Sequence, residues 1–201
     1  FEFLDTGAMY RVVAWACLRR GVDMNDAAAV TEVARRVQIQ LEGDRVFADG
    51  MNVTEAIRAP EVTQGASLVA THPDVRRELV RQQRQLAKGR NVVTEGRDQG
   101  TVAFPDADFK FFLTADARER ARRRYEELKR AGRTDLSLDD VLAQIHERDQ
   151  RDRHRSDSPL CPAPDALLVD TTCLSVDEVL ERLETLVRRG AARPTDDGAS
   201  A

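Results

Sequence analysis

Four short apolar runs, Phe1 to Leu4, Val92 to Thr94, Phe109 to Leu113 and Leu167 to Val169, are each followed by a turn and a stretch of helical periodicity. Strands alternating with helices predict parallel βαβ units and an α/β fold. From Ala8 to Arg20, Met9, Val12, Val13, Ala16 and Cys17 recur on one face at the 3.6-residue period. Val75, Leu79 and Leu86 mark a second helix from Val75 to Ala87, and a strongly ionic one covers Arg118 to Ala131. Ser137-Leu138-Asp139-Asp140 resembles a capping box opening a helix that runs towards Arg155. Ser175-Val176-Asp177-Glu178 is a cleaner box, with Val179, Leu183 and Leu186 behind it. Between Val37 and Val53 the period shortens to two and turns at Glu42-Gly43-Asp44, which predicts a small antiparallel insert. From Arg189 the apolar period is lost in a Gly-, Ala- and Asp-rich tail, expected to be disordered.

Composition narrows this picture. At 201 residues, 41% of them hydrophobic and 33% charged, the chain has material for one domain-sized core under an ionic surface. The formal charge of −4 excludes a globally basic nucleic-acid binder. No window reaches the ~18–20 apolar residues of a membrane helix, and the start has no signal-peptide character. Cys17, Cys161 and Cys173 form neither a disulfide framework nor a zinc pattern, and the three histidines lack metal-ligand spacing. A soluble, cytoplasmic protein in a reducing compartment is expected.

Three segments carry candidate chemistry. In Leu4-Asp5-Thr6-Gly7-Ala8-Met9-Tyr10-Arg11 a strand ends and a helix begins, so Thr6 can cap, free N–H groups can receive an anion, and Arg11 can grip a phosphate. An ordinary capped helix reads the same residues as well. Glu95-Gly96-Arg97-Asp98-Gln99-Gly100-Thr101 directly follows a strand, where open α/β sheets place ligands. There Arg97 offers a planar fork for phosphate and Asp98 an acceptor for a base or ribose. Arg148, Asp152 and Arg155 share one helix face at i, i+4 and i+7. The stretch Arg118 to Arg155 holds 12 basic against 9 acidic residues within an acidic chain. A solvated, ion-paired helix is the competing reading. Arg58, Ser67 and Arg76 have no periodic relation to one another.

These segments, with Val102-Ala103-Phe104-Pro105-Asp106-Ala107 and Phe111-Phe112-Leu113-Thr114-Ala115, resemble bacterial cytidylate kinases from Phe1 to about Arg188. The resemblance implies an α/β, P-loop-kinase-like fold: a parallel sheet flanked by helices, its first strand missing, with a small antiparallel β insert and a helical lid. It divides the chain into core (1–36), monophosphate-binding insert (37–74), core (75–131), lid (132–158), core (159–188) and tail (189–201). The implied reaction is transfer of the ATP γ-phosphate to CMP or dCMP with Mg²⁺, by a monomer with no nucleic-acid or membrane partner. By position, Thr6, Tyr10 and Arg11 line the monophosphate site, while Ser67, Arg76 and Asp98 contact the cytosine. Arg58 and Arg97 lie near the transferring phosphates. The lid supplies Arg148, Asp152 and Arg155, with Arg148 and Asp152 approaching the ribose; Arg97, Arg148 and Arg155 are the catalytic candidates. Glu95 is placed near Mg²⁺ through water, with no protein cage for the metal. Charge-neutralising arginines and a closing lid suit phosphoryl transfer, which needs positioning and water exclusion more than a covalent nucleophile.

The sequence departs from that family at Glu95, where Asp is common, and at Gln99, where an apolar residue is usual. G-x-x-x-x-G-K-[ST] does not occur, and the chain opens within a strand without Met. The expectation is that the phosphate loop precedes Phe1, so that these 201 residues alone bind CMP weakly, bind ATP poorly and turn over negligibly. Two other readings stay open. One is a different small-molecule or nucleotide kinase. The other is a non-catalytic RNA-binding module using the basic hairpin, disfavoured by only 5% aromatic residues.

Overall fold

The computed structural model describes residues 1–130, 132, 136–154 and 157–191. They pack as two compact units. The first comprises Phe1–Asp106 with Gln150–Cys161, and the second Ala107–Asp149 with Pro162–Ala201. This division by packing is coarser than the six segments expected from sequence.

In the first unit, β1 (Glu2–Asp5) pairs in parallel with β5 (Val92–Glu95), Glu2 opposite Val92 and Asp5 opposite Glu95. Both strands therefore end at the same edge. α1 (Thr6–Arg20) follows β1 without a linker and is apolar on more than one face, with Ala8, Met9, Val12, Val13, Ala14, Ala16 and Cys17 all buried. Such a helix needs cover on several sides. It receives it from α2 (Ala27–Arg36), α3 (Pro60–Val69) and α4 (Pro73–Ala87), which supply Val30, Val33, Val62, Val69, Val75 and Leu79 to one core. Burial of each Val, Met or Leu there contributes roughly 1.5–3 kcal/mol. α1 stops at Gly21, whose φ of 63° lets its N–H and that of Val22 reach back to the carbonyls of Leu18 and Cys17.

The insert forms as expected and gains a third strand. β2 (Ile39–Glu42), β3 (Arg45–Ala48) and β4 (Met51–Asn52) make an antiparallel sheet, with Asp49 and Gly50, both at positive φ, forming the β3–β4 turn. Val46, Ala48 and Val53 join the core shared with α1, so the insert is not a separate hydrophobic body.

In the second unit, β6 (Phe111–Thr114) pairs in parallel with β7 (Leu167–Asp170). The strands described thus form two parallel pairs rather than one four-stranded sheet. α5 (Ala117–Arg130) is fastened to the loop after β7 by Arg123, whose Nη2 donates to the carbonyls of Thr171 and Leu174 at 2.5 and 3.2 Å. α6 (Leu138–His154) begins in this unit, and its last turn, from Gln150, belongs to the first. α7 (Val176–Ala191) continues past Arg189, where the tail was expected to begin; residues 192–201 lie outside the described residues.

Both capping boxes are present. Ser137 N–H and Oγ donate to Asp140, and Ser175 N–H and Oγ donate to Glu178 at 2.8 Å each. Those bonds, the backbone one foremost, hold the Glu178 carboxyl below its ordinary value. A depressed folded-state pKa contributes stability that is present above the unfolded value and lost as pH falls through the folded one. We expect Ser175→Ala to move the Glu178 titration up towards the ordinary glutamate range, read by NMR. An unchanged midpoint would mean that the Ser175 hydroxyl adds nothing to the backbone bond that remains.

Candidate functional site

The first unit brings together most of the residues singled out in the sequence. α1 begins at the carboxyl end of β1, and its cap is Asp5 rather than Thr6: Asp5 Oδ1 accepts the Ala8 N–H at 2.8 Å. Thr6 is already helical, and its buried hydroxyl instead donates to the Glu95 carbonyl at 2.6 Å, tying the ends of β1 and β5 together. Asp5 Oδ2 also pairs with Arg11 Nη2 at 3.0 Å. The Arg11 guanidinium is therefore held one turn into α1, over Gly7, with its buried Nε unbonded. Asp5 was missed as a site residue; an Asp directly before a helical apolar period is the cap signal that identifies it.

Beyond β5, Gly96 approaches the side chain of Gln99 so closely that an added Cβ would stand 2.6 Å from Nε2. The Gln99 carboxamide in turn accepts from Thr94 Oγ1 at 3.0 Å, which gives the unusual polar residue at this position a task. A π-helical turn, Gln99–Ala103, follows, and Arg84 of α4 donates to its Val102 and Ala103 carbonyls at 2.7 and 2.8 Å. This fixes the loop carrying Arg97 and Asp98.

The most buried ion pair described joins two residues that no sequence spacing relates. Arg76 of α4 and Asp98, only 3% and 5% exposed, form an ion pair through Nη2 and Oδ2. Nη1 of Arg76 donates to the Ala70 carbonyl at 3.3 Å, and its guanidinium lies 5.8 Å from the ring centroid of Tyr10. Removing one partner of such a buried pair strands a charge in low dielectric, so the two residues form one unit energetically. Arg97, next along, pairs through Nε with Asp152 Oδ2 at 3.2 Å.

Arg58 is exposed on a 3-10 turn (Ala56–Arg58), and Ser67 is half-buried on α3. Neither hydrogen-bonds nor ion-pairs with the cluster among the described residues. Arg148 lies on the part of α6 assigned to the second unit, and Arg155 lies outside the described residues. Glu95 is exposed, and its carboxylate has no partner among the described residues. Among the described residues no three His, Cys, Asp or Glu side chains gather to cage a metal.

Adjoining strand ends, a helix N-terminus and three guanidinium groups from separate stretches of chain suit a phosphate-bearing ligand, and with the α/β fold they define the class: a nucleotide-handling α/β protein of the phosphotransferase kind. The sequence profile of the family described as Cytidylate kinase matches residues 1–189. A cytidylate kinase of Caldanaerobacter subterraneus subsp. tengcongensis is 49% identical over 94% of this chain and 84% of its own length. One of Desulfitobacterium hafniense is 48% identical over 92% and 81%, and one of Rhodopirellula baltica 44% identical over 100% and 87%. The chain belongs to the cytidylate kinase family. Among the described residues no helix is long and apolar enough to cross a membrane.

Proposed function

We propose that the residues of this chain serve its family's reaction, transfer of the γ-phosphoryl group of ATP to CMP or dCMP, with the strand-end cluster of the first unit holding the acceptor nucleotide. The buried Arg76–Asp98 pair carries this reading. Cytosine offers an exocyclic amine to a carboxylate and the ring N3 and O2 to a guanidinium, so a fixed Arg–Asp pair complements it. Uracil would turn a carbonyl oxygen towards Asp98 and leave buried polar groups unpaired, the situation that gives strong rejection. Ser67 supplies a further hydroxyl to the base, and Tyr10, beside Arg76, borders the same end of the site.

Thr6 and Arg11, at the start of α1, take the monophosphate with the free N–H groups of that turn. Arg97 and Arg58 neutralise charge on the phosphates in flight, while Asp152 keeps Arg97 in register and approaches the ribose; Arg148 and Arg155 are proposed as the further catalytic arginines. Glu95, an unpaired carboxylate at the strand end, fits a hydrated magnesium ion, which keeps most of its waters and takes few protein oxygens. Bound with ATP, that ion would neutralise phosphate charge. The proposed unit of action is a monomer in the cytoplasm.

Calorimetric titration of CMP, dCMP, UMP and AMP side by side tests the assignment. Affinity for CMP should exceed that for UMP and AMP by about 100-fold or more, the scale set by unpaired buried polar groups. A preference for AMP would defeat the cytosine reading of Ser67, Arg76 and Asp98.

A further inference from the structure

Arg76 has a second carboxylate beside it. Asp157, in the loop after α6, places Oδ2 3.8 Å from Arg76 Nε, a nitrogen that is buried and has no hydrogen-bond partner. Asp98 and Ala70 occupy the guanidinium's Nη2 and Nη1, so Nε is the position left for a further acceptor. Asp157 is half-exposed and comes from a segment far from both α4 and Asp98 in sequence.

The loop is built to hold it there. Its ends are fastened by the Leu160 N–H donating to the Asp152 carbonyl at 2.8 Å. Ser158, next to Asp157, has φ at 51°, a left-handed backbone that costs a non-glycine residue free energy and persists only where surrounding contacts impose it. A cavity of about 360 Å³, bordered by Arg76, Val80, Arg84, Val102, Asp157 and Ser158, leaves the carboxylate room to approach Nε. The last turn of α6 thus brings Asp152 to Arg97 and the loop after it brings Asp157 to Arg76, the sequence neighbour and the ion-pair partner of Asp98.

We propose that Asp157 is a positioning residue that acts through Arg76, holding the guanidinium by its Nε edge so that Nη2 stays on Asp98 and the pair keeps one orientation towards the base. It does not touch the nucleotide. The inference rests on the reading of Arg76 as a cytosine-contacting residue. It assigns the loop after α6 a role in base selection.

The test is calorimetric titration of CMP and UMP into the wild-type chain and the Asp157→Asn, Asp157→Glu and Arg76→Met variants, with melting temperatures in parallel. Asp157→Asn should weaken CMP about three- to fivefold, the range open to a half-exposed ion pair, while UMP affinity stays unchanged. Its melting temperature should stay within about 2 °C of the wild type, as for other surface substitutions. Asp157→Glu should recover most of the CMP affinity. An Asp157→Asn variant that binds CMP like the wild type overturns the proposal, and so does equal weakening of CMP and UMP, the mark of a general structural role. If Arg76→Met keeps the preference for CMP over UMP, the reading of Arg76 fails and takes the role of Asp157 with it. If Arg76→Met loses that preference while Asp157→Asn is silent, only the role of Asp157 fails.

Discussion

Asp98→Ala should lower the melting temperature by about 10 °C and remove measurable CMP binding. Asp98 neutralises a guanidinium that is 3% exposed, and stranding a buried charge costs about 3–5 kcal/mol. In a chain of this size each kcal/mol is worth roughly 2–4 °C. Asp157, 3.8 Å from the same guanidinium, keeps the loss from being larger. Stability and recognition separate in a double variant. Replacing both charges with apolar residues, Arg76→Met with Asp98→Leu, should recover most of the melting temperature, because buried pairs are often matched by apolar packing. It should not recover CMP binding. Differential scanning calorimetry and a CMP titration on the same samples read both. If the double variant binds CMP as the wild type does, the pair is structural only.

Arg97→Ala has the larger effect on rate. The side chain is 37% exposed, so its pair with Asp152 contributes on the order of 1 kcal/mol or less to stability. Charge stabilisation of a phosphoryl group in transfer is a different matter, since a donor acting mainly in the transition state is typically worth about 10²–10³ in turnover. A coupled assay with ATP and CMP should show a kcat loss of that size with a change of only a few degrees in melting temperature. The KM for CMP should rise far less than kcat falls. Parallel losses of rate and stability would instead assign Arg97 to the fold.

How much of this was legible beforehand depended on whether the signal was local. The periodicity of α1, the two capping boxes and the alternation of β2 and β3 are written within a few residues, and each element formed where it was read. α3 escaped notice because Gly65, Ala66 and Ser67 carry no apolar period. Gly65 is there for packing: a Cβ on it would lie 2.7 Å from Met24 Sδ, a contact that exists only in the fold. α2 was obscured by its opening run of three alanines, whose apolar signal is weak. At the site, the strand-end position of Arg97 and Asp98 was readable from the strand before them. Spacing did not give the Arg76–Asp98 pair, because 22 residues separate the partners and no spacing rule relates a helix to a distant loop; the family resemblance alone put both on the cytosine. The choice between Asp5 and Thr6 as cap turned on geometry, as both residue types cap well. Arg11, expected to be a free phosphate grip, is held by Asp5, so a phosphate would meet a guanidinium already oriented.

One nucleotide should be held where β1 and β5 end. Titrating CMP into isotopically labelled protein and following backbone and arginine side-chain NMR signals tests it most directly. The largest shifts should fall on Asp5 to Arg11, on Ser67 and Arg76, and on Glu95 to Asp98, saturating together with one dissociation constant. Shifts confined to α7 or the β2–β4 sheet, or separate dissociation constants for the Arg11 and Arg97 signals, would contradict it.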